Sequence, residues 1–234
     1  VDLGEDGTFA TVSELVYGQE LGDEIARKGK CAPAEAAAIL LAIAKAVRAG
    51  HQEGVLHREI SPGAVLVGPK GEIKLMDFVP ERPRENDEMH LTRCGAMMRS
   101  PRYLSPEQCQ NKPIDERTDL YGLGGVFYLL LAGRPPFHGS ESVMEVFADK
   151  INGNGLHEPT EFAPDLPEDY QRVLAGLLAR YPEERYADAD ALIEDLEALQ
   201  RGWPVQAREP FPKLTRRSET QEPGSGASCF TSLL

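Results

Sequence analysis

Basic side chains are scarce in this 234-residue chain: 25 Lys and Arg stand against 38 Asp and Glu, a formal net charge of −13. Binding a nucleic-acid backbone depends on Lys and Arg neutralising phosphates, so this balance argues against DNA or RNA as a partner. The excess acid belongs to the first 201 residues, because the stretch from Gly202 onward carries Arg208, Lys213, Arg216 and Arg217 against Glu209, Glu219 and Glu222. Its plain role is a solubilising surface. Cysteine is sparse too. Cys31, Cys94, Cys109 and Cys229 lack the paired spacing of a zinc site or a disulfide framework, and they read as reduced thiols of a cytoplasmic protein. Long apolar runs are missing: the longest uncharged one, Ala36 to Ala44, falls well short of the ~18 residues of a membrane span. No cleavable leader pattern opens the chain, and residues 231–234 do not begin with the cysteine of a prenylation signal. Residue 1 is Val, as in a fragment, a trimmed product or a non-standard start.

What is present is enough for one substantial core and a tail. The opening reads as a hairpin, Val1 to Leu3, a turn at Gly4 to Gly7, then an alternating run from Phe9 to Val16. Two strands alone are marginal in water, so neighbours and an upstream segment are expected. A short helix is predicted around Leu21 to Arg27. A strong one follows, with Pro33 in its first turn, Ile39, Leu40, Ile43 and Val47 at helical spacing, and a stop near Gly50 to Gly54. Two short apolar pieces, Ala64 to Val67 and Ile73 to Met76, flank the turn Gly68 to Gly71 and suggest a second hairpin. Asp77 to Glu107 is polar and irregular. Asp119 to Ala132 is apolar on nearly every face and should be fully buried, while Glu141 to Ile151, Glu168 to Arg180 and Asp188 to Arg201 are amphipathic. Asp188 is a good N-cap for the last. Beyond Gly202 the Pro, Ser, Gly and Thr content predicts no structure.

Phosphoryl transfer asks little covalent help of a protein: a carboxylate to orient the attacking hydroxyl, and Asp and Asn side chains to hold metal ions beside the phosphates. His57-Arg58-Glu59 precedes the second hairpin and Asp77-Phe78-Val79 follows it, which puts two carboxylates in neighbouring turns. With the motifs that follow, the chain resembles the large lobe of Hanks-type protein kinases, closest to bacterial serine/threonine kinases. His51 to Val67 is similar to the family's helix end, H-R-D-x-K-P-x-N catalytic loop and next strand. Asp77-Phe78-Val79 stands in place of D-F-G, Ser100 to Gln108 resembles the T-P-x-Y-M-S-P-E-Q close of the activation segment, Asp119 to Phe137 resembles the central helix with its loop, and Pro182 to Tyr186 resembles the late arginine motif.

The resemblance implies an α+β, mostly α-helical fold: a small-lobe remnant with hinge over residues 1–16, a large lobe over 17–201, and a disordered tail over 202–234, the small lobe being largely missing. It implies ATP and Mg²⁺ as cofactors. Glu59 takes the catalytic Asp position, Ser61 the phosphate-contacting Lys, Ala64 the second metal's Asn, and Asp77 remains as metal ligand. Glu14, Val16, Leu66 and Met76 correspond to the floor of the adenine site. His57, Arg58 and Asp119 brace the loop, Glu107 and Arg185 form a buried ion pair, and Thr92 and Ser100 occupy phosphorylation or substrate positions. Gly4 and Gly7, three apart in a turn, lack the G-x-G-x-x-G spacing of a phosphate loop. Glu59 adds a methylene where a misplacement of ~1 Å can cost on the order of 10²-fold in rate. Val79 stiffens a turn the family builds with Gly. These departures imply a pseudokinase-like binding or regulatory module with a protein partner or substrate and weak or no ATP binding, and no membrane contact is expected within this chain. The alternative is an active ATP-dependent serine/threonine kinase, truncated here, with Glu59 as a weakened base.

Overall fold

The computed structural model of the chain describes residues 14–78, 101–139 and 142–206, together with the backbone of a strand pair at residues 2–3 and 9–10. In that pair β1 (Asp2–Leu3) runs antiparallel to β2 (Phe9–Ala10). The strand read from Phe9 to Val16 does not reach its expected end, because residues 14–18 make no sheet pairing. Instead β3 (Gln19–Glu20) joins β4 (Val65–Val67) and β5 (Ile73–Leu75) in an antiparallel sheet of order β3-β4-β5, with Glu20 opposite Leu66 and Leu66 opposite Lys74.

The rest is helical. α1 (Leu21–Lys28) follows β3 directly and buries Leu21 and Ile25. α2 (Pro33–Gln52) starts on Pro33, whose missing N–H costs nothing in the first turn, and buries Leu40, Ile43, Ala44 and Val47. Gly50 lies inside α2 rather than ending it: a Cβ there would collide with the Phe78 ring, so this glycine serves packing. The turn itself falls at Gly54, with φ +72°. α3 (Pro106–Cys109), which hydrophobic periodicity did not reveal, is started by Ser105 and Gln108 in a reciprocal capping box.

The core is built on α4 (Glu116–Ala132), in which every residue from Thr118 to Ala132 is buried. It begins three residues before the expected Asp119, because Asp115 caps it by accepting from Arg117 N at 2.9 Å. α5 (Val143–Asn152) starts at a second capping box, Ser142 with Glu145. α6 (Glu168–Leu177) is shorter than predicted: the chain leaves the helix at Leu178, and the carbonyls of Ala179 and Arg180 turn to accept from Arg185 at 2.9 and 3.2 Å. α7 (Ala189–Arg201) is capped by Asp188 and packs along α2. Ordered packing continues past Gly202, with Val205 buried and Gln206 N donating to Asp195 at 2.7 Å. The remaining expected tail, like Thr92, Val79, Cys94 and Ser100, lies outside the described residues.

Candidate functional site

The turn between α2 and β4 is held from below by one buried carboxylate. Asp119, 1% exposed near the start of α4, accepts His57 N at 2.8 Å and Arg58 N at 2.6 Å, and its Oδ2 also meets His51 Nε2 at 2.8 Å. Accepting three bonds from one core position fixes the loop's path more firmly than its exposed face could. Arg58 sits at φ +70°, a left-handed geometry that a long side chain adopts only where its surroundings impose it. Gln108, the side chain of the α3 capping box, donates to Arg58 O at 2.6 Å. The loop is thereby tied to two helices distant in sequence.

His57 connects the two carboxylate turns. Its Nδ1 accepts Glu59 N at 3.3 Å, which leaves Nε2–H to donate to Met76 O at 2.7 Å. Phe78 packs edge-on against the same imidazole, centroids 4.9 Å apart. Glu59 and Asp77 are both exposed, each on its own turn, and Asp77 has φ +67°. Ser61 is buried, 4% exposed, and its Oγ has no hydrogen-bond partner. It borders a cleft of about 560 Å³ whose wall includes Gly22 and Ile25 of α1, Tyr103, Leu129 of α4, and Pro135.

Among the described residues the two carboxylate turns offer few donors for a pair of metal ions. Ala64 is 1% exposed, carries no side-chain donor, and its own amide and carbonyl are engaged with Ser61 O at 3.0 Å and Met76 N at 2.8 Å. Asp77 is left as a single carboxylate, and no group of three His, Cys, Asp or Glu among the described residues could hold a metal. Val16, Leu66 and Met76 are half-buried, while Glu14 is exposed with its carboxylate 3.1 Å from Lys74 Nζ.

Glu107 and Arg185 meet in a two-pronged pair, 2.7 and 2.8 Å, and Thr118 Oγ1 donates to the same carboxylate at 2.9 Å. Burial opposes the charge on Glu107, but the Arg185 hydrogen bond and charge outweigh it and hold the carboxyl below its ordinary value. Sequence reasoning missed Lys150. Its ammonium is buried, donates to the carbonyls of Arg102 and Leu104 at 2.9 and 2.7 Å, and lies over the rings of Tyr121 and Phe137. Burial pushes its pKa down to about 7. No spacing signalled it, because α5 reads as an ordinary amphipathic helix in which a lysine belongs on the wet side. Cys109 is buried and its thiol is pushed up to about 11, chiefly by burial, which leaves it unreactive near neutral pH.

Residues 3–196 match the family model of the protein kinase domain. The chain is 34% identical over 194 residues to a probable serine/threonine-protein kinase of Corynebacterium efficiens, covering 81% of this chain and 29% of that protein. It is 31% identical over 226 residues to the serine/threonine-protein kinase PknB of Mycobacterium tuberculosis, covering 93% and 35%. A probable serine/threonine-protein kinase of Streptomyces coelicolor is 32% identical over 196 residues, covering 84% and 29%. The chain thus spans about a third of the length of these relatives. A model match over most of the residues, with the braced loop and the Glu107–Arg185 pair, places the chain in the protein kinase family, beside the bacterial serine/threonine kinases.

Proposed function

We propose that this kinase domain acts as a protein-binding, regulatory module whose phosphoryl transfer is impaired, a pseudokinase-like role. The observation that carries the reading is Ala64, sealed at the position where the family places a metal-holding Asn, with both its main-chain polar groups already used. Phosphoryl transfer relies on metal ions to neutralise charge developing on the phosphates, so a lost ligand lowers both nucleotide affinity and rate. Glu59 adds to the deficit, since its longer side chain displaces the carboxylate from where an Asp would present it. The partner is a protein, as for kinase domains generally. No described helix is long and apolar enough to cross a membrane, and the free thiols of Cys31 and Cys109 suit a reducing, cytoplasmic setting.

A second reading, an active ATP-dependent serine/threonine kinase, draws support from the loop's intact bracing and from the exposure of both Glu59 and Asp77. Glu59 would then serve as a slow base and Asp77 would hold magnesium. Phosphate incorporation into a generic acceptor protein, compared between the wild type and Asp77→Ala, separates the two. We expect background incorporation in both; a rate that disappears with Asp77→Ala would establish the second reading.

A further inference from the structure

Away from the carboxylate turns, two loops meet through aromatic rings that phosphoryl chemistry does not use. One, residues 133–139, follows α4; the other, residues 156–162, follows α5. The His138 ring stacks on His157 with centroids 4.4 Å apart and planes tilted by 34°, and Phe162 sets its edge against His138 at 5.0 Å. His157 Nδ1 lies 3.1 Å from Glu161 Oε2, so its proton has a carboxylate partner. On the far side of that ring, a Cβ on Gly139 would lie 3.4 Å from His157 Nε2. His138 Nδ1 is buried and meets no partner at hydrogen-bond geometry.

The neighbours of His138 oppose a charge on it. Arg134 places its guanidinium 5.0 Å from the Phe162 centroid, and Lys30, from the segment after α1, donates to Phe162 O at 2.8 Å. Burial first, then His157 and Arg134, hold His138 below the ordinary histidine value, against the Pro135 backbone and Glu161, which favour its proton. The adjoining backbone is strained: Phe137 is buried at φ +56°, kept there by the Lys150 ammonium 4.3 Å from its ring centroid and by Arg102 Nε, which donates to its carbonyl at 3.4 Å. A loop held in this geometry by its neighbours will move when one of them lets go.

We propose that the stacked His138–His157 pair is a proton-operated latch between the loop after α4 and the turn before α6, closed while His138 is neutral and released when it takes up a proton. A cation on His138 loses hydration in its partly buried place and faces the Arg134 guanidinium, whereas neutral stacked rings attract. The released loop carries Gly133 and Pro135, which wall the cleft beside Ser61, so acidity changes the shape of that cleft. The sign follows from linkage. Folded His138 holds its proton less tightly than an unfolded chain does, so the closed form loses stability as pH falls through about 6.5 and levels off below the depressed folded value. The inference stands whether or not the domain transfers phosphate.

Hydrogen exchange of the 234-residue protein between pH 7.5 and 5, corrected for intrinsic rates, tests it with α4 as internal reference. Protection of residues 133–139 and 156–162 should fall as pH drops, by up to about tenfold per pH unit, the limit for one linked proton. Protection of α4 should hold. His138→Phe, which keeps a ring but cannot take the proton, should abolish the pH dependence, and His157→Gln, which removes the stacked ring but keeps a donor for Glu161, should weaken it. The proposal is overturned if wild-type protection is flat, if α4 opens in step with the loops, or if either variant behaves like the wild type.

Discussion

Asp119 accepts the amides of His57 and Arg58 in a place where water cannot substitute for it. Asp119→Ala strands those donors, and each buried unsatisfied group costs about 1–3 kcal/mol, so urea unfolding should report a loss of roughly 3 kcal/mol or more. A loss under roughly 1 kcal/mol would show that the loop is braced elsewhere. The Glu107–Arg185 pair makes a sharper case because its penalty depends on pH. Glu107→Gln leaves the buried Arg185 guanidinium without its counter-charge and should cost about 3–5 kcal/mol near neutral pH. The folded Glu107 carboxyl lies below its ordinary value of 4.5, so its stabilisation is complete above that value and is lost as pH falls through the lower folded one. The variant's stability should therefore fall less steeply in acid than the wild type's, and parallel acid profiles would contradict the assignment. Both groups stood out in the sequence because each sits in a motif. Lys150 did not, since burial of a lysine depends on carbonyls contributed by residues 102 and 104, more than forty positions away.

The helices show what a linear pattern conveys. α2 and α7 were legible from apolar spacing, Pro33 and Asp188, all local signals. β3 was not, because two polar residues carry no alternation and pair only once β4 lies beside them. The capping residues Ser105, Asp115 and Ser142 were there to be read, and would have placed the starts of α3, α4 and α5. α4 also shows why composition alone misleads about stability. Its Gly122 looks like a weak point, since Ala is favoured over Gly in a helix by about 1 kcal/mol. Yet a Cβ there would stand 2.9 Å from Ile60 Cβ and 3.1 Å from Ile60 O, in the loop that carries Glu59. Gly122→Ala should therefore destabilise the protein, on the order of 1–3 kcal/mol in a denaturant titration, despite the better propensity. A gain in stability would mean that the loop and α4 are less closely packed than the contact implies.

At the scale of the molecule, the framework of a kinase domain is kept, and on the proposed reading the groups that grip phosphate are altered. The braced loop, the buried helix and the ion pair are features of packing, and they persist in a chain whose Asn position is Ala64. Substitution at a handful of chemical positions leaves the core untouched, so fold and activity can part company. The family was therefore legible from motifs in order, whereas the pairing of exposed Glu14 with Lys74, sixty residues on, carried no signal in the sequence. The most direct measurement is a thermal shift of this 234-residue chain titrated with ATP and Mg²⁺. A ligand that binds the folded state stabilises it by about 2.7 kcal/mol at 100 times its dissociation constant. The account predicts no movement of the midpoint at millimolar nucleotide and metal; a saturable, magnesium-dependent rise that Asp77→Ala removes would contradict it.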